Sequence, residues 1–144
     1  MSLHLSDPIV HKLVRMIMKH GKKHAALKIV DDAFHILRSK HNVGSPIALF
    51  HRAVANAAPV VETRGYKASG RTVHVPLPCG PKRSQSLAMR FIRDAFRERK
   101  ENGGGLKLAN ELFALEKRQG GAYSRREEMH KRAEANRAFA HFAR

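Results

Sequence analysis

Apolar residues recur along this chain at the three- and four-residue spacing of amphipathic helices, with one interruption near the middle. Asp7-Pro8 reads as an N-cap followed by proline at the first helical position. Ile9, Leu13 and Met16/Ile17 then share a face, and Gly21 stops the helix. A second helix is predicted from about Lys22 to His41, with Ala26, Ile29/Val30, Ala33 and Leu37 facing inward. Ser45-Pro46 repeats the cap-plus-proline start, and a third helix buries Ile47, Phe50, Val54 and Ala57 before Pro59. From Val60 to Pro78 the pattern changes: β-branched residues, Gly and Pro dominate, and Thr72 to Val75 alternate polar with apolar. Ser69-Gly70 supplies a tight turn, so this segment is predicted to be a β-hairpin. A hairpin is marginally stable alone, and a protruding one needs a partner to lie against. Helix resumes from about Ser84 to Lys100 on Leu87, Ala88, Phe91, Ile92 and Ala95, until Gly103-Gly104-Gly105 breaks it. A fifth helix, Leu106 to Arg118, uses Leu108, Ala109, Leu112, Phe113 and Leu115, and Gly120-Gly121 breaks that one. Ser124-Arg-Arg-Glu127 has the form of a capping box opening a last helix toward His141. That helix is mostly charged, with Met129, Phe139 and Phe142 as its large apolar residues. The expected fold is therefore mainly α: a bundle of about six helices in one domain (1–144), with a hairpin arm at about 60–78 inserted between the third and fourth helices.

Composition changes little in that picture, and charge changes a great deal. The 42% hydrophobic content supports a core of Leu, Ile, Val, Ala and Met, with no Trp. No apolar run approaches the roughly 20 residues that span a bilayer. Met1 to Asp7 has neither a signal-peptide nor a transit-peptide pattern. One cysteine, Cys79, excludes an intrachain disulfide. The net charge, however, is +16 and the pI about 11.0. From Ala33 to Arg93 ten Lys/Arg residues face a single acid, Glu62. Nucleic acid is the first partner such a surface implies. An anionic membrane is disfavoured because the charge is spread over several elements instead of one amphipathic stripe.

Catalytic and metal chemistry find little support. His20 and His24 have the spacing of zinc ligands on a helix, but the stretch reads HGKKH, with Gly21 at a helix end and two lysines that repel a dication. Structural or RNA-contacting histidines are the favoured reading. Glu127 and Glu128 are adjacent and diverge by about 100° on a helix, so they form no acid/base pair. Cys79 near basic residues invites comparison with reactive thiols, and a bystander role is favoured. There is no P-loop and no GxSxG elbow. The sequence therefore implies no enzyme, no cofactor, no metal and no small-molecule substrate.

Three basic clusters remain. Arg64, Lys67, Arg71, Lys82, Arg83 and Arg90 lack acidic neighbours within the hairpin and the helix after it, and are read as phosphate contacts. Lys19, His20, Lys22 and Lys23 surround the first helix–helix turn. Arg125, Arg126, Lys131, Arg132 and Arg137 form a third set, diluted by Glu127, Glu128 and Glu134. Cations on separate elements fit a folded RNA, which is recognised by shape and backbone, better than one DNA groove.

These segments also carry a resemblance. Met129-His-Lys-Arg-Ala-Glu-Ala-Asn-Arg-Ala-Phe-Ala-His-Phe142 is similar to the closing signature of the S7 family of small-subunit ribosomal proteins. His20-Gly21-Lys22-Lys23, Gly70-Arg-Thr-Val-His-Val-Pro76, Leu87-Ala-Met-Arg-Phe-Ile92 and Leu106-Lys-Leu-Ala-Asn-Glu-Leu112 agree with it in order and spacing. The resemblance implies a helical bundle with a projecting hairpin that binds the 3′ major domain of small-subunit rRNA. It implies initiation of head assembly and a place beside the tRNA exit (E) site, near exit-site tRNA, the message, and neighbouring head and platform proteins. By position, Lys19, His20, Lys22 and Lys23 would hold rRNA at the first turn. Arg64, Lys67, Arg71, Thr72 and His74 would act from the hairpin, and Lys82, Arg83 and Arg90 from the next helix. Arg125, Arg126, His130, Lys131, Arg132, Asn136, Arg137 and His141 would line the last helix. Tyr66, Lys67, Ser69, Gly70 and Arg71 would stand nearest the exit site, and Tyr66 would either stack on a base or simply cover the hairpin face.

The chain also departs from the family. The basic N-terminal arm of bacterial members is nearly absent, Gly65-Tyr66 and Ser69 alter the hairpin tip, and the tail ends Phe142-Ala-Arg144 instead of Arg-Trp. This drift favours an organellar ribosome, in the mitochondrial matrix over a bacterial cytoplasm. The rival binding class is a DNA-associating nucleoid or regulatory protein, which would want a helix-turn-helix. No clear recognition helix is present.

Overall fold

The computed structural model describes residues 3–142. The chain ends Met1-Ser2 and Ala143-Arg144, including the last part of the divergent tail, lie outside the described residues. After a 3-10 turn, Leu3–Ser6, the elements run α1 (Pro8–Ile17), α2 (Lys23–Ser39), α3 (Pro46–Ala57), β1 (Val61–Ala68), β2 (Arg71–Pro78), α4 (Pro81–Glu98), α5 (Gly104–Glu116) and α6 (Gly121–Ala135). A 3-10 segment, Arg137–Phe142, follows. The protein is mainly helical, with an antiparallel two-stranded hairpin between α3 and α4.

Local signals act as their chemistry dictates. The Asp7 carboxylate accepts the N–H groups of Ile9 (2.8 Å) and Val10 (3.4 Å), and Pro8 opens α1. Ser45 caps α3 in the same way through Ala48 N–H, ahead of Pro46. The buried face of α1 is Val10, Leu13, Val14 and Ile17, one position round from the expected stripe, with Ile9 and Met16 half-buried at its edge. In α3 the same happens: Leu49, Phe50, Ala53 and Val54 are buried and Ile47 is half-buried. Ala26, Val30, Ala33 and Leu37 of α2 and Leu87, Ala88, Phe91, Ile92 and Ala95 of α4 enter the core as expected. Leu108, Ala109, Leu112 and Leu115 of α5 complete one continuous hydrophobic cluster.

Three expected helix boundaries are overturned, two of them at glycine-rich breaks. Gly103 alone lies outside α5; Gly104 and Gly105 form its first turn. A Cβ on Gly105 would stand 2.6 Å from Asp32 Cβ, so this glycine lets α5 approach α2 more closely than any other residue permits. Likewise α6 starts at Gly121, not at Ser124. Ser124 N–H already bonds Gly120 C=O as an ordinary helical group, and Glu127 takes Arg126 Nη1 at 2.6 Å, so there is no capping box. Finally, α6 does not continue to His141 but ends at Ala135, where Asn136 Nδ2 donates to Arg132 C=O.

The hairpin is tied down at its base and free at its tip. Glu62 pairs with Leu77, Arg64 with Val75, Tyr66 with Val73 and Ala68 with Arg71. Ser69 (φ 51°) and Gly70 (φ 79°) form a two-residue loop with both central residues left-handed, the type I′ geometry that matches strand twist. At the base, Cys79 N–H bonds Val60 C=O and Ser84 Oγ donates to Pro59 C=O at 2.7 Å. Helix α6 packs against α4 and β1, and the 3-10 segment Arg137–Phe142 lies along β2. Among the described residues, no helix is long and apolar enough to cross a membrane.

Candidate nucleic-acid interface

The turn between α1 and α2 is a second left-handed turn: His20 has φ 55° and Gly21 φ 71°, and Lys22 N–H bonds Lys19 C=O at 3.0 Å. It exposes Lys19, His20, Lys22 and Lys23 together. Because His20 belongs to the turn and His24 to α2, the two do not share a helix face. No group of three metal-ligating side chains occurs among the described residues.

Pleating sorts the hairpin into two faces, since directly paired residues share one and successive residues alternate. Arg64, Tyr66 and Arg71 lie with Val73 and Val75; Lys67, Thr72 and His74 lie on the opposite side with Gly65. All six of these candidate residues, and Ser69 and Gly70, are exposed.

Arg83 differs from its sequence neighbours. Its Nε donates to Glu62 Oε2 at 2.8 Å and its Nη2 to Glu62 Oε1 at 3.2 Å. It therefore has the acidic partner that the sequence did not reveal. Glu62 is buried, and the Arg83 hydrogen bond holds its carboxyl below the ordinary value against the opposing effect of burial. The thiol of Cys79 donates to the same carboxylate at 3.6 Å. Burial, and then the Glu62 charge, push that thiol up to about 11, so it stays protonated and unreactive at neutral pH. The lone acid of the basic stretch thus builds the base of the hairpin, while Lys82 and Arg90 on α4 stay exposed.

Helix α6 is also divided. Arg125 pairs with Glu98, Arg126 with Glu127 and with Ala58 C=O, and Arg137 with Glu134 at 3.2 Å. The Nε2 of His130 accepts Val60 N–H at 3.2 Å, which ties α6 to the hairpin base. His141 Nδ1 lies 3.0 Å from Ala138 C=O, within its own segment. Lys131 and Arg132 are exposed. Of the expected set on this helix, they are the cations that no carboxylate of the described residues holds.

Residues 2–137 match the family described as ribosomal protein S7p/S5e. The chain belongs to that family. It is 42% identical to the small ribosomal subunit protein uS7 of Francisella tularensis subsp. holarctica (strain OSU18), over 96% of this chain and 91% of the relative. The uS7 protein of subsp. novicida (strain U112) matches at the same 42% identity and coverage. These relatives are bacterial, so the preference for mitochondria drawn from the hairpin tip and tail is not supported.

This S7 family member also has basic residues that sequence reasoning passed over. Arg97, at the end of α4, and Lys107, in the first turns of α5, line a cavity of about 430 Å³ together with Lys19, His20 and Lys22. Nothing local marks either residue. Only the packing of α4 and α5 behind the α1–α2 turn brings them to that cluster.

Proposed function

We propose that this chain is a structural, non-enzymatic constituent of the small ribosomal subunit, a single S7-type domain that binds the 3′ major domain of small-subunit rRNA. On this reading it nucleates assembly of the subunit head. The hairpin tip, with Tyr66, Lys67, Ser69, Gly70 and Arg71, lines the tRNA exit site and faces exit-site tRNA and mRNA. Neighbouring head and platform proteins complete its partners. The observation that carries the reading is the placement, in a protein of this family, of exposed cations with no carboxylate partner among the described residues. They stand on the α1–α2 turn, both hairpin faces and α4, instead of along one helix that would fill a DNA groove. Such a surface suits an RNA recognised by shape and phosphate contacts.

The mechanism is electrostatic and architectural. Lys and Arg neutralise crowded phosphates at an rRNA junction, release counterions, and hold the junction in the geometry that later proteins recognise. If about 6–10 phosphates are engaged, affinity falls about 10³–10⁵-fold between 50 and 200 mM salt. The deciding experiment compares a 3′-domain transcript with length-matched duplex DNA at about 150 mM salt. Saturable binding to the RNA at least about a hundredfold tighter is expected, a floor set below the roughly 10³–10⁷-fold ratio of site-specific recognition. Equal binding to both would mean that charge alone is read, and would favour the DNA-associating class.

A further inference from the structure

We infer that the cavity between the α1–α2 turn, the end of α4 and the start of α5 receives one unstacked nucleotide of the bound RNA strand. The inference rests on the rRNA-binding reading and adds a subsite to it. The cavity's volume of about 430 Å³ falls within the range of pre-formed ligand sites. Its floor is apolar: Met18, Ile29 and Phe96, backed by buried Ile17 and Ala26. Its rim is cationic or titratable: Lys19, His20, Lys22, Arg97 and Lys107. No carboxylate lines it, and among the described residues none of the five rim side chains is held in an ion pair. By contrast Arg83, Arg99, Arg125, Arg126 and Arg137 are all taken by carboxylates.

Contact with phosphates alone needs no apolar depression, and a purely apolar ligand has no use for five basic groups. The combination suits a ligand with a flat apolar body and an anionic end. A nucleotide splayed out of an RNA junction has that form, and side-chain platforms capture such bases by stacking. The base covers the floor, and the flanking phosphates meet the lysines and Arg97.

Ala25 tests this without touching charge. It is exposed on α2 and lines the cavity, so Ala25→Leu adds apolar bulk at the mouth while keeping a good helix former. The variant should melt like the parent, yet bind the 3′-domain transcript about tenfold more weakly, at the scale of one lost stacked base. Its salt dependence should be unchanged, whereas Arg97→Ala should make the dependence shallower. Parental affinity in Ala25→Leu would overturn the subsite and leave rRNA binding intact; failure of the parent to bind the transcript would overturn both. A second readout needs no variant. On adding the transcript, ring current from a seated base should move the Met18 and Ile29 methyl resonances upfield, and unmoved resonances would overturn the inference. Titration with adenosine monophosphate separates the sources: if it alone produces the full shift and the RNA adds none, a free nucleotide is the ligand and the strand assignment fails.

Discussion

Glu111 is 1% exposed, yet both of its carboxylate oxygens are engaged. Oε1 accepts Ala122 N–H at 2.9 Å and Oε2 accepts Arg99 Nη1 at 2.6 Å. Gly120 offers α6 no side-chain cap, so Glu111 satisfies one of its free N–H groups from α5. Glu111→Ala would leave Arg99 with one carboxylate partner, the half-buried Glu101, and α6 uncapped. Unfolding free energy, read by urea denaturation, should fall by about 2–3 kcal/mol, the scale of a lost charge-assisted hydrogen bond and an unsatisfied helix N–H, since Arg99 is part-exposed and keeps Glu101. A loss of about 1 kcal/mol or less, the worth of a surface pair, would show that water replaces the carboxylate. His130 makes a second residue-scale prediction. Burial holds it below its ordinary value of 6.5, and the charge of Arg126 acts in the same direction. The bond from Val60 N–H requires the neutral ring with its proton on Nδ1, so its contribution is complete above pH 6.5 and is lost as pH falls through the lower folded value. The protection factor of the Val60 amide should therefore hold down to about pH 6.5 and drop only as the pH falls further below it. In His130→Phe it should be low and flat. A pH-independent factor in the parent would mean that the ring does not hold the amide. Neither role shows in the sequence, where Glu111 is one polar position in an apolar helix and His130 one member of a basic run.

At the scale of elements, the hairpin divides into an anchored base and a free tip. Glu62 and Val75 are buried, whereas Arg64–Lys67 and Ser69–Thr72 are exposed, with His74 beyond them. Replacing Arg64 to His74 by a short turn should leave helical circular dichroism intact. It should shift the melting temperature by no more than about 2–4 °C, the equivalent of roughly 1 kcal/mol in a domain of this size. Collapse of the helical signal would instead make the arm part of the core. The existence and order of the six α-helices, and the Ser69-Gly70 turn, were legible because period and turn chemistry are written within a few residues of each other. Helix starts at Gly104 and Gly121 were not. Glycine reads as a breaker in sequence, and its use as a spacer becomes visible only when the facing helix is in place, Asp32 on α2 or Ala95 on α4.

At the scale of the whole molecule, an excess of cations is divided between those the fold uses and those it leaves for a partner. The Lys22/Lys23 pair belongs to the second kind: both are exposed where the left-handed turn at His20-Gly21 leads into α2. Lys22→Ala with Lys23→Ala should weaken rRNA binding and make the log–log salt slope shallower by about 1–2, since each phosphate contributes about 0.7–0.9. Unchanged affinity and slope would remove this cluster from the interface. The net charge, the helical class, the arm and the family signature all follow from composition and from patterns that are local along the chain. Local patterns survive in one dimension because the residues that make a helix face or a turn are sequence neighbours. Which arginine meets Glu62, which helix Glu111 caps, and how Arg97 and Lys107 join the α1–α2 turn depend on elements that only the tertiary structure brings together. Those assignments exist only once strand register and helix packing have brought the groups to within hydrogen-bonding distance.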